Sequence, residues 1–188
     1  MNNLKNIKEI LDFGVIEEKI KILESLSSTN NTEIIKKIIL KLDDDDIQVR
    51  GEAFSSLVLN ENKISDLLIN SLSSQNKNIR GYASLVLANR NDFNAIPEII
   101  KLTYDQSSMV RSCALGALGH LKANEAKEVI NSCLLDSNLE VRKSALQAII
   151  NIGYSLPEDK IKEMAKEKDL ELERLLNNVK RESGPKGI

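Results

Sequence analysis

Few residues of this chain are of types that make or break bonds, and their spacing is poor for it. His120 is the only histidine among 188 residues. A general base or metal ligand needs a positioned partner, and the flanking GHLKANEA supplies only Glu125. His120 therefore reads as a surface residue near a helix end. Cys113 and Cys133 have no further Cys or His at a metal spacing, so both are expected as reduced thiols in a cytoplasmic protein. Asp43 to Asp46 is an acidic run. A calcium loop would place oxygens at alternate positions around a Gly, so Asp46 is read as a helix cap and the rest as structural or solvated. Gly116 and Gly119 lie inside an apolar helical stretch, where they permit close packing or a partner's approach. No catalytic residue, metal or cofactor is expected.

The remaining chemistry-bearing residues are four arginines. Arg50, Arg80, Arg111 and Arg142 are spaced 30, 31 and 31 apart. Val49, Ile79, Val110 and Val141 precede them. Ala53, Ala83, Ala114 and Ala145 stand three after, and Leu57, Leu87, Leu118 and Ile149 seven after. These offsets share one helical face. Four before each Arg stand Asp46, Asn76, Ser107 and Asn138, all N-cap residue types. About twelve before lies a second aliphatic pair: Ile38 and Ile39, Leu68 and Ile69, Ile99 and Ile100, Val129 and Ile130. Each unit thus reads as helix A, a short loop, then helix B. A self-similar period of this length marks a solenoid, in which no unit buries its apolar face alone.

The pattern resembles the HEAT repeat, in the short form of the HEAT-like repeats of phycobilisome lyases. The aliphatic–Arg pair, the Ala and an acidic residue six before the Arg (Asp44, Asp105, Asp136) carry the resemblance. Ser74 departs from the acidic position. The resemblance implies an all-α, right-handed α-solenoid of about six antiparallel helix pairs, covering residues 1–182 as one domain. Units near 1–29 and 155–182 are degenerate, with Glu17 and Glu173 where Arg is expected. Such ends suit capping units, so the solenoid is expected to be complete within the chain. Residues 183–188 read as a flexible tail.

An arginine in the first helical turn opposes the macrodipole and needs compensation. Asp44, Arg50, Arg80, Asp105, Arg111, Asp136 and Arg142 are therefore expected to form a structural ladder of carboxylate and carbonyl oxygens from the Arg's own loop or the next. Arg111 is expected to pair with Asp105 or a neighbouring loop acid.

Offsets +2, +5 and +9 place a second stripe opposite the buried columns. It comprises Glu52, Ser55 and Leu59; Tyr82, Leu85 and Asn89; Cys113, Gly116 and His120; and Ser144, Gln147 and Asn151. In HEAT-like folds the B helices line the concave side. The stripe is small and nearly neutral. Either it only suits a tight inner curve, or it is a groove for a peptide or helix with Leu59, Tyr82 and Leu85 as anchors.

The net charge of −2 gives no electrostatic reason to bind nucleic acid. At +1 the stripe's neighbours are Gly51, Gly81, Ser112 and Lys143, a single cation. No apolar run approaches a membrane span, and the N-terminus lacks a signal-peptide core. The expectation is a monomeric, cytoplasmic, non-enzymatic scaffold binding a protein or peptide. The alternatives are an accessory subunit of a bilin lyase, which the resemblance suggests, and a HEAT-like nucleic-acid binder.

Overall fold

In a computed structural model, residues 2–182 are described; the tail expected at 183–188 lies outside them. Twelve α-helices follow in six consecutive pairs. Unit one is α1 (Asn2–Phe13) and α2 (Ile16–Glu24), and unit two is α3 (Thr32–Leu40) and α4 (Ile47–Leu59). Unit three is α5 (Ser65–Ser71) and α6 (Lys77–Asn89), and unit four is α7 (Ile96–Leu102) and α8 (Ser108–His120). Unit five is α9 (Lys127–Ser132) and α10 (Leu139–Ile152), and unit six is α11 (Glu158–Met164) and α12 (Leu170–Glu182). The fold is an all-α repeat solenoid.

The start of each helix B follows from its cap. Oδ1 of Asp46, Asn76 and Asn138 each accepts two backbone N–H groups of the first turn, satisfying donors that the helix leaves free. Ser107 occupies the same extended backbone position but makes no side-chain cap bond. The expected fourth cap bond is therefore absent. Asp169 Oδ1 caps α12 through the Leu172 N–H at 2.9 Å.

The columns bury as a continuous core. Val49, Ala53, Leu57, Ala83, Leu87, Val110, Ala114, Leu118, Val141 and Ala145 are fully inaccessible. In unit five the buried helix-A residue is Ile130, twelve before Arg142, whereas Val129 is half-buried. The column therefore runs Ile38, Leu68, Ile99, Ile130, and Val129 of the expected pair stands one residue before it.

Alanine and glycine set how closely the B helices approach. A Cβ on Gly119 would stand 2.8 Å from Ala148 Cα, so α8 and α10 touch there almost backbone to backbone. Neighbouring B helices pack more extensively than neighbouring A helices from unit three to unit five, so the stack closes toward the B side there. The contact of α4 with α6 is much sparser than those of α6 with α8 and α8 with α10.

The turn out of helix B also differs at that joint. Eleven residues after the Arg, Asn91, Lys122 and Gly153 all adopt positive φ, at 53°, 50° and 75°. Glu61, at the same offset from Arg50, does not. The shorter spacing from Arg50 to Arg80 removes one residue from this connection. Arg90 fills in by donating Nη1 to the carbonyls of Leu57 and Asn60 and Nη2 to that of Asn62 at 3.0 Å.

The glycines give a test with opposite signs. Gly119→Ala should lower stability by roughly 1–3 kcal/mol through the clash with Ala148, despite the better helix propensity. Gly51→Ala meets nothing within 4 Å and should raise stability by about 0.5–1 kcal/mol. Denaturant midpoints of the two variants check both; loss of stability in Gly51→Ala would contradict the open space beside it.

Candidate functional site

The ladder is built from loops and first turns. Each Arg turns Nη1 back onto its own inter-helix loop. Arg50 reaches the carbonyls of Asp44 and Asp45 at 2.7 and 3.1 Å, Arg80 those of Ser74 and Gln75 at 2.8 and 3.1 Å, and Arg111 that of Asp105 at 2.9 Å. Arg142 reaches Asp136 O at 2.6 Å. In Arg80, Arg111 and Arg142 the rest of the guanidinium reaches the next unit. Arg80 Nε and Nη2 fork onto Asp105 at 2.7 and 2.9 Å, and Arg111 onto Asp136 at 2.8 Å each. Arg142 Nη2 meets Glu167 at 2.5 and 2.6 Å.

Arg111 thus takes the backbone of Asp105 but the carboxylate of Asp136; the Asp105 carboxylate belongs to Arg80. Each acid also accepts an N–H in its own loop, Asp105 from Ser107 and Asp136 from Asn138, both at 2.8 Å. One carboxylate therefore shapes its own loop and receives the neighbour's cation.

Two rungs were not read from the sequence. Lys19, not residue 17, supplies the first, with Nζ 3.0 Å from Asp44; the signal is its spacing of 25 before the acid, which Arg80 and Arg111 repeat. Glu167 supplies the last, and stands 31 after Asp136.

The electrostatics follow. The hydrogen bond from Arg111 holds Asp136 below its ordinary carboxylate range, against the opposing effect of burial. Burial pushes Asp105 and Asp44 up, but the bonds from Arg80 and Ser107, and from Lys19 and Asp46, outweigh it and lower both.

The B-helix stripe is accessible along its length. Leu59, Asn89, Gly116, His120, Gln147 and Asn151 are exposed, and Glu52, Ser55, Tyr82, Leu85, Cys113 and Ser144 are half-buried. Its parts are not equivalent. Between α6 and α8 the face is filled, since Met109 and Cys113 sulfurs crowd over Gly81. Gln147 and Asn151 bond to each other at 2.8 Å. Lys143, the one cation beside the stripe, is buried and held by Glu140, Asp169 and Glu171. Burial pushes the Cys113 thiol up to about 11, so it is neutral at physiological pH. Glu52 lies across from Glu24 on α2, and burial and that carboxylate both raise its pKa.

Between α4 and α6 the stripe opens into a groove of about 270 Å³, lined by Ile47, Arg50, Gly51, Phe54, Tyr82 and Leu85. Tyr82 and Leu85 were read as anchors. Leu59, also read so, is 66% exposed but lies outside the groove. Ile47 and Phe54 take its place. Their signal was present, since both are large apolar residues outside the buried columns of α4.

Among the described residues no group of three or more His, Cys, Asp or Glu is placed to hold a metal ion. No helix among them is long and apolar enough to cross a membrane.

A family profile described as HEAT repeats matches residues 65–150. Units three to five therefore carry HEAT repeats. No curated protein sequence matches it significantly. Its fold is shared with several solved structures. A designed armadillo repeat protein in complex with the peptide (KR)4 is 17% identical, with TM-score 0.60 over 95% of this chain and 98% of that one. The complex of CpcE and CpcF of phycocyanin lyase from Nostoc sp. PCC7120 gives 20% identity and TM-score 0.57 over 90% and 73%. An archaeal HEAT-like repeats protein from Thermococcus onnurineus NA1 gives 15% identity and TM-score 0.53 over 95% and 79%. At these identities the likeness is one of HEAT- and armadillo-type fold.

Truncating Arg111 to Ala should lower stability by about 1–3 kcal/mol, because it strands a largely shielded carboxylate. The pH dependence has a definite sign. Asp136 is depressed in the folded state, so its contribution is present above the unfolded value near ~3.9 and is lost as pH falls through the lower folded value. Wild-type stability should therefore fall below about pH 4, and Arg111→Ala should fall less steeply there. Parallel curves in urea titrations would contradict this.

Proposed function

We propose that the chain is a non-enzymatic scaffold that binds a protein or peptide partner through the B-helix face, at the groove between α4 and α6. The single observation that carries the reading is this groove, since the same face is packed shut between α6 and α8. Its walls are mostly apolar, with two aromatic rings beside Arg50, and Gly51 has no atom near the space a Cβ would fill, so a partner backbone can approach α4 closely. Aromatic and aliphatic anchors in a partly desolvated pocket are the usual centre of a protein-binding surface.

The absence of catalysis is part of the proposal. A thiol held neutral and a lone exposed histidine do not make a nucleophile and base. Unpaired cysteines suit a cytoplasmic location. The lyase-subunit reading stands second, because it rests on the resemblance alone. Nucleic-acid binding has less support still, since Lys143 is already held by three carboxylates.

Leu85→Glu should abolish capture of partner protein from source lysate while leaving the helical circular dichroism unchanged. Leu85 is only half-buried, so the substitution should cost no more than about 1–2 kcal/mol of stability. Undiminished capture by a folded Leu85→Glu would move the binding surface to the A helices or the loops.

A further inference from the structure

The joint that carries the groove is also the joint where the ladder lacks an acid. Arg80, Arg111 and Arg142 each find a carboxylate 25 residues ahead. Unit three has Ser74 at the acidic position, where Asp44, Asp105 and Asp136 stand in units two, four and five. Ser74 Oγ keeps the loop role, accepting the Asn76 N–H at 3.2 Å, but has no charge to offer Arg50. Arg50 still donates Nη1 to its own loop. Its Nε and Nη2 have no hydrogen-bond partner among the described residues. The edge that elsewhere grips a carboxylate is therefore open, and Arg50 is a wall of the groove.

The joint is held by other means. Asp43 accepts from Nδ2 of Asn76 and, at 2.6 Å, of Asn78, and Arg90 binds the turn after α4. Arg50 is thus not required to close this interface. Glu52 does not serve it either, because Glu52 looks toward Glu24 on α2.

Resting on the peptide-binding reading above, we propose that the groove takes a peptide segment in which a large apolar side chain neighbours an Asp or Glu. The apolar group lies against Phe54, Tyr82 and Leu85. The carboxylate accepts from Nε and Nη2 of Arg50 and so supplies from outside the rung that Ser74 omits. A fork of two charge-assisted hydrogen bonds gives orientation as well as attraction. A basic or neutral segment leaves Arg50 without its acceptor and is discriminated against.

The test pans short random peptides displayed on phage against the immobilised full chain, then measures the selected peptides by fluorescence polarisation. Wild-type protein should select sequences pairing an aromatic or aliphatic residue with Asp or Glu. Changing that acid to its amide should weaken binding about tenfold or more. Ser74→Asp, which places a competing carboxylate at the vacant position outside the groove wall, should weaken the acidic peptide by a similar factor, spare the amide analogue and raise the thermal midpoint. Arg50→Gln should also erase the difference between acid and amide, and it carries the test if Ser74→Asp fails to fold.

Selection of basic or neutral peptides, or equal binding of acid and amide forms, would overturn the acid preference. If Leu85→Glu still abolished that binding, the groove itself would stand. If no peptide were selected, or if folded Leu85→Glu bound them all undiminished, the peptide-binding reading would fall with it.

Discussion

The structure depends on one ion pair repeated along the stack: a cation in the first turn of a B helix, gripping the carboxylate of the next unit's loop. Placed alone, that cation would oppose the helix macrodipole and lie half-buried without a partner. The fold resolves both problems at once. Loop carbonyls take one nitrogen and the next unit's acid takes the remaining edge, with both side chains of the Arg80–Asp105 pair about nine-tenths shielded. Because Asp44, Asp105 and Asp136 also fix their own loops through a backbone N–H, the cap geometry of one unit is joined to the position of the unit before it. Aliphatic columns supply the bulk of the burial, and the ladder fixes their register.

The same constraint explains where the surface is interesting. A rung with an acid draws two loops together, and small residues on the B helices let them close, as Gly119 does on Ala148. Between units two and three the acid is Ser74, the repeat is one residue shorter, and the left-handed turn residue is missing. The B helices stand apart there, and the gap is lined by Phe54, Tyr82 and Leu85 rather than filled. An irregular repeat in an otherwise regular stack is a local violation of the kind that functional sites produce.

Much of this was legible in the sequence because the repeat is nearly periodic. Offsets of −1, +3 and +7 mark the buried face of four B helices, and the Asx caps mark where three of them start. Ser107 shows the limit of that reasoning: residue type gives a capping capacity, but the side chain need not use it. The ladder's direction was legible only in part. A pair six apart and a pair 25 apart satisfy the same Arg equally on paper, and only the stacking of units shows that carbonyls come from one and the carboxylate from the other. Lys19 and Glu167 escaped because the end units were judged by the Arg position instead of by the acid's spacing. Phe54 and Ile47 escaped because the groove depends on the separation of two helices, which no offset within one helix records. Ser74 was visible as a departure, yet its consequence, an arginine with one open edge, needed the neighbouring unit.

The coupling across a rung is the most direct measure of this account, and a double-mutant cycle on Arg80 and Asp105 supplies it. Arg80→Ala, Asp105→Ala and the double variant are unfolded in urea beside the wild type. The account predicts a coupling free energy of about 1–3 kcal/mol between residues 25 apart in sequence, with the double variant less destabilised than the sum of the singles. Additivity within about 0.5 kcal/mol would show that the carboxylate and the guanidinium act independently, and that the stack is held in register by its aliphatic columns alone.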